Sequence, residues 1–247
     1  MALGASAPGG RLQTPLIRYY QRLFERLGPQ GWWPARTRME VILGAILTQD
    51  TSWGNASRAL ASLKKAGLLC VEALRRTSSA NLETCLRPAG FYRQKAATIR
   101  SFIAWLDRDY HGSLRALFAA PVERVRSELL ALKGVGPETA DAILLYAGRK
   151  PFFVADAYMR RILSRHAWLP PGAGYEAAQT LLHRELPRDD QLFNEFHALV
   201  VETGKRYCLR QAPDCRPCPL REFLPELAAD SPAATISAAK TLTLEPL

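Results

Sequence analysis

From Pro15 to about Leu227 the chain repeats one pattern: apolar residues at three- and four-residue spacings, cut by Gly, Pro or Asp, with almost no period-two alternation. A half-buried strand needs that alternation, so the pattern predicts an all-α fold. The expected helices cover residues 16–27, 37–49, 53–66, 71–77, 79–86, 92–109, 113–119, 122–132, 137–147, 155–166, 175–185 and 190–207. Start signals mark three of them: Thr51 and Ser52 before the third, Ser78 before the fifth and Asp190 at the last.

A chain of 247 residues can build one or two helical units around a substantial core. No apolar run approaches the roughly 20 residues that span a bilayer, so no membrane partner is expected. The charge is more informative. Lys and Arg number 33 against 23 Asp and Glu, a balance of +10 with a pI near 9.7. Such a balance favours a polyanion, nucleic acid ahead of an anionic membrane surface. An odd count of five cysteines without a secretory h-region points to a reducing compartment, the cytoplasm and nucleoid for a bacterial source. Residues 1–14 read as a disordered N-terminus and residues 229–247, rich in Ala, Ser, Thr and Pro, as a disordered tail that does not bind polyanions.

The stretch Leu132-Lys133-Gly134-Val135-Gly136-Pro137-Glu138-Thr139 carries the strongest local signal. A helix is expected to end at Lys133, two glycines make a tight turn, Pro137 opens the next helix and Glu138 suits its positive end. Gly134 and Gly136 let the backbone approach a ligand, and Val135 plugs the space between the helices. Free amides at that helix start make a phosphate site that reads no sequence. Lys133, Thr139 and, further on, Arg160 add phosphate-contact candidates. A plain helical hairpin is the alternative.

Asp156 follows Glu138 by 18 residues, at the end of the apolar run Phe152-Phe153-Val154-Ala155 and before Arg160 and Arg161. An N-cap accounts for such an Asp, and so does a catalytic carboxylate beside a phosphate-gripping hairpin.

The hairpin, the helix after it and the Val-x-Asp with its following Arg resemble the helix–hairpin–helix DNA glycosylases of the endonuclease III type, the HhH-GPD family. The resemblance runs from about Leu16 to Leu224. It includes Leu43-Gly44-Ala45-Ile46-Leu47-Thr48-Gln49-Asp50-Thr51, Gly90-Phe91-Tyr92-Arg93-Gln94-Lys95-Ala96 and the terminal cysteines, in the family's order. It implies a two-lobed fold gripping double-stranded DNA in a cleft, with the target nucleotide flipped out. Asp156 is implied to stabilise the oxocarbenium-like charge at C1′ or to help activate the nucleophile. Gln49 is implied to enter the gap left by the flipped base, and Phe91 or Tyr92 to wedge the duplex. Positive charge near Arg93–Lys95 and Arg160–Arg161 is expected to face DNA.

Three departures refine the expectation. Glu138 stands where bifunctional members carry a Schiff-base lysine, and a carboxylate forms no imine, so a monofunctional enzyme with weak or absent lyase activity is expected. Trp32, Trp33 and Pro34, with Trp53, resemble the 3-methyladenine glycosylase branch, whose electron-rich rings suit cationic alkylated purines. Adjacent tryptophans also serve as core filler. Cys208, Cys215 and Cys218 resemble the family's iron–sulfur loop, but the fourth position is Leu224. That leaves a [4Fe–4S] cluster on three cysteines, a zinc site using a nearby His or carboxylate, or a decayed site held by packing. Cys70 and Cys85 read as core residues, and His197 as structural rather than phosphate-binding.

The expected arrangement is a six-helix domain at 36–150 and a second helical domain of 15–35 with 151–228. The expected protein is a monomeric base-excision glycosylase acting on alkylated purines. The alternatives are an oxidised-pyrimidine or mismatch glycosylase and a non-catalytic damage-binding protein.

Overall fold

A computed structural model describes residues 14–225. The disordered segments expected at the two ends lie outside those residues, apart from Thr14. Thr14 belongs to the structure, where its hydroxyl donates to the Glu185 carbonyl at 2.5 Å. The expected second domain is described only to Pro225.

The described residues are helical and contain no strand. The helices are α1 (Pro15–Leu27), α2 (Arg38–Leu47), α3 (Trp53–Lys65), α4 (Val71–Arg76), α5 (Ser79–Leu86), α6 (Tyr92–Tyr110), α7 (Leu114–Ala119), α8 (Val122–Ala131), α9 (Pro137–Ala142), α10 (Ala157–Arg165), α11 (Tyr175–Glu185) and α12 (Asp190–Arg206). A π-helical turn, Ile143–Ala147, continues α9.

Capping chemistry sets several starts. The Ser52 and Ser78 hydroxyls accept the Asn55 and Asn81 amides, as expected. The last helix is capped by Asp189, not Asp190, because Asp189 holds the extended backbone from which its carboxylate accepts the Leu192 amide. Likewise α10 starts two residues later than expected, since Asp156 is its extended cap. Helix α8 stops at Ala131 rather than Lys133, where Leu132 turns extended and leads Lys133 and Gly134 out of the helix.

Helix α2 is central, with Val41 to Leu47 all buried, so it is apolar on every side. It packs on α3, α6, α9 and the π-turn. Helices α1, α10, α11 and α12 pack among themselves, and α9 with its π-turn reaches α11 and α12. Asp141, fully buried on α9, fastens that junction: its carboxylate accepts Arg126 Nε at 2.7 Å, Gln179 Nε2 at 2.7 Å and the Tyr175 hydroxyl at 2.9 Å. Of the two cysteines expected in the core, Cys85 is buried but Cys70 is exposed at the N-cap of α4.

Candidate functional site: a cleft at the hairpin

The hairpin forms as expected. Val135 is buried between the helices, while Lys133, Gly134 and Gly136 are exposed. Gly134 has φ +88°, and a Cβ there would lie 2.1 Å from Thr98 Oγ1, so only glycine fits. The Thr98 hydroxyl reaches the Lys133 carbonyl at 3.2 Å and locks the turn onto α6.

Beside the hairpin opens a cleft of about 670 Å³ lined by Gln49, Glu138, Thr139, Asp156 and Arg160 together with Trp32, Trp33 and Trp53. Trp33 meets Trp32 at 5.4 Å, Trp53 at 5.4 Å and Tyr146 at 5.1 Å between ring centroids. Its indole lies so close to α2 that a Cβ on Gly44 would be 2.9 Å from it. The buried indole nitrogen of Trp33 has no hydrogen-bond partner, which leaves a donor in the cage without one. Pro34 is exposed and does not line the cleft.

Asp156 is buried in the cleft wall, so cap and cleft residue are the same side chain. Its Oδ1 accepts the Met159 amide at 2.8 Å and its Oδ2 lies 3.5 Å from His197 Nε2. Glu138 keeps a solvent-accessible surface at the cleft but is crowded by protein. Desolvation, then the Asp156 carboxylate, raise its pKa above the usual glutamate value, against His197 and Arg160. His197 and Tyr146 belong to this site although their sequence surroundings gave no sign of it. Both sit in apolar helical runs that look like core.

Gln49 does not point free. Its amide donates to the Gly134 carbonyl at 3.0 Å and to Thr139 Oγ1 at 2.8 Å, tying the end of α2 to the hairpin. Phe91 stands apart from the cleft, 62% exposed at the start of α6, and Tyr92 is half-buried between Arg87 and Arg93. Two cations expected to face DNA are structural instead. Lys95 is buried and its ammonium donates to the Leu47 and Ala89 carbonyls at 2.9 and 2.8 Å, with burial lowering its pKa. Arg161 donates to the Cys208 and Gly204 carbonyls and covers Tyr158.

Cys208, Cys215 and Cys218 line a narrow void with His166 and Leu224. The Cys208 sulfur accepts Arg165 NH1 at 3.2 Å, and burial pushes the Cys218 thiol up to about 11. His166 Nδ1 already faces the Tyr19 hydroxyl and the Phe223 carbonyl. Among the described residues no group of three His, Cys, Asp or Glu side chains is arranged to hold a metal ion. Leu224 supplies no fourth thiolate and the His166 imidazole is already engaged, so Cys208, Cys215 and Cys218 are the three side chains that would hold a cluster, its fourth iron taking a ligand other than cysteine.

The sequence profile of the HhH-GPD superfamily base excision DNA repair proteins matches residues 43–188. The chain belongs to that superfamily. Membership makes it a DNA glycosylase of base excision repair. It is 39% identical over 210 residues, 84% of this chain and 94% of the relative, to the provisionally named DNA repair glycosylase MJ1434 of Methanocaldococcus jannaschii. Endonuclease III homolog 2 of Arabidopsis thaliana is 26% identical over 85% of this chain, which spans 53% of that longer protein. An endonuclease III–DNA complex superposes with a TM-score of 0.72 at 22% identity, covering 89% of this chain and 99% of that one. Helicobacter pylori 3-methyladenine DNA glycosylase, bound to 1,N6-ethenoadenine, superposes with a TM-score of 0.68 at 26% identity, covering 79% and 97%. The described helices include none long and apolar enough to cross a membrane.

Proposed function

We propose that this glycosylase hydrolyses the N-glycosidic bond of alkylated purines such as 3-methyladenine in double-stranded DNA, as a monomer and without cutting the strand. One observation carries the reading: a single cleft holds the Asp156 carboxylate, three tryptophans and, in place of a lysine, Glu138. A cationic purine stacks on electron-rich indoles, worth about 0.5–2 kcal/mol per contact. Its glycosidic bond is already weak, so little leaving-group activation is needed. Asp156 stabilises the positive charge developing at C1′ and orients the attacking water. Glu138 offers no amine at the lyase position, so no imine forms there and no β-elimination follows from it; Lys205, which also lines the cleft, is the amine that borohydride trapping would report if it attacked. The likeness to the Helicobacter pylori 3-methyladenine glycosylase supports the same substrate class.

In this reading two helical lobes, 36–150 and 15–35 with 151–228, hold the duplex between them. The Gly134, Val135 and Gly136 backbone, with Lys133, Thr139 and Arg160, grips phosphates; Gln49 and Phe91 or Tyr92 fill and wedge the opened stack. Asp156→Asn tests the assignment. Base release under single turnover is expected to fall by at least about a hundredfold, the scale of a lost charge-stabilising group, while affinity for abasic-analogue DNA persists. Unchanged release would remove Asp156 from the chemistry. Binding of abasic DNA by the wild type, with no base released from any lesion, would support a damage-binding protein instead.

A further inference from the structure

We infer that His197 is a positioning residue for Asp156 and that Tyr146 fixes the imidazole tautomer in which it acts; the inference rests on the reading of Asp156 as the catalytic carboxylate. Oδ1 of Asp156 is held by the Met159 amide, and Oδ2 faces His197 Nε2 at 3.5 Å. That nitrogen is buried and has no hydrogen-bond partner. The other ring nitrogen, Nδ1, lies 2.5 Å from the Tyr146 hydroxyl.

A neutral imidazole carries one proton, so one nitrogen donates and the other accepts. Tyr146 keeps its own proton: burial holds its pKa well above the usual phenol value, and the Asp156 carboxylate pushes the same way. A phenol that donates to Nδ1 leaves the imidazole proton on Nε2, aimed at Asp156. The opposite tautomer would turn a lone pair toward a buried carboxylate, an uncompensated polar contact. At 3.5 Å the Nε2–Oδ2 contact is longer than a formed hydrogen bond, as catalytic contacts often are before substrate fills a site.

The arrangement links both halves of the site. Tyr146 packs its ring on Trp33 at 5.1 Å and gives its hydroxyl to His197, so the relay starts at the aromatic cage and ends at the carboxylate. The π-helical turn Ile143–Ala147 carries Tyr146, a local geometry often found at functional sites.

The test uses full-length protein. It combines single-turnover release of 3-methyladenine from methylated duplex with affinity for a duplex carrying a tetrahydrofuran abasic analogue. Tyr146→Phe and His197→Gln are expected to slow release about 10- to 100-fold, the equivalent of one hydrogen bond to a charged group, with analogue affinity within about twofold of wild type. His197→Gln keeps an amide donor toward Asp156 and should retain more rate than His197→Leu. Nitrogen-resolved NMR of the wild type should find the His197 proton on Nε2, a preference lost in Tyr146→Phe. A proton on Nδ1 in the wild type overturns the inference however the variants fold. So do full rates in Tyr146→Phe and His197→Leu beside an inactive Asp156→Asn, an outcome that leaves the Asp156 assignment standing. Full release by Asp156→Asn removes that assignment and this inference with it.

Discussion

Gly134→Ala probes the hairpin most sharply. The residue sits at φ +88°, where an L side chain costs about 1–2 kcal/mol, and its new Cβ would lie 2.1 Å from Thr98 Oγ1. Thr98 yields by turning its hydroxyl away from the Gln94 and Lys133 carbonyls it faces at 3.1 and 3.2 Å, at about 0.5–1.5 kcal/mol. Reduced freedom of the unfolded chain returns about 0.4–1 kcal/mol. The net expected loss is about 2 kcal/mol, read by urea denaturation followed by far-UV circular dichroism. Thr98→Ala removes the closest clash, so Gly134→Ala made in that background should cost about 1 kcal/mol less. The displaced hairpin should also raise the Kd for abasic-analogue duplex severalfold, measured by fluorescence anisotropy at fixed salt. A Gly134→Ala loss below about 0.5 kcal/mol, unchanged by Thr98→Ala, would refute the steric account.

Asp141→Ala should cost about 3 kcal/mol in the same denaturation assay, because it removes the buried carboxylate that pairs with Arg126 and accepts from Gln179 and Tyr175, leaving Arg126 only its longer contacts to Glu176 and Gln179 and the other two only the Phe153 carbonyl. His183 accepts the Phe153 amide at 2.9 Å, and burial, then Arg188 and Arg126, lower its pKa from 6.5 to about 4. Between those values the unfolded chain binds a proton that the fold refuses. Its contribution is therefore complete above pH 6.5 and lost as pH falls toward 4, and a His183→Gln variant should show a flatter profile across that window. Phe91→Ala should leave stability within about 0.5 kcal/mol, since the ring is 62% exposed, yet slow base release from duplex more than from single-stranded DNA.

What the sequence made legible had local causes. Helix spacing, serine caps and the Gly134-Val135-Gly136 turn each write their geometry within a few residues, and the structure follows them. Asp156 was legible because an apolar run ending in a helix-capping carboxylate is itself a local pattern. His197 was not. It meets Asp156 only through the packing of α12 on α10, which no local pattern encodes. Net charge misled for a related reason: Lys95 and Arg161 look like surface cations, yet the fold turns both onto backbone carbonyls. The π-turn carrying Tyr146 arises inside an apolar run that carries no helix breaker. Spacing alone placed the cysteines in a loop, but their ligand capacity depends on Leu224 and on the engagement of His166 by Tyr19 and Phe223.

The central claim is that this cleft removes alkylated purines by hydrolysis alone. It is tested most directly by incubating the full-length protein with duplexes carrying 3-methyladenine, 7-methylguanine, hypoxanthine, uracil, thymine glycol or a T·G mismatch, with and without borohydride. Release of 3-methyladenine, an uncut abasic strand and no covalent adduct are expected. Preferential release of thymine glycol or of mismatched thymine, with a borohydride-trapped enzyme–DNA adduct, would contradict the claim.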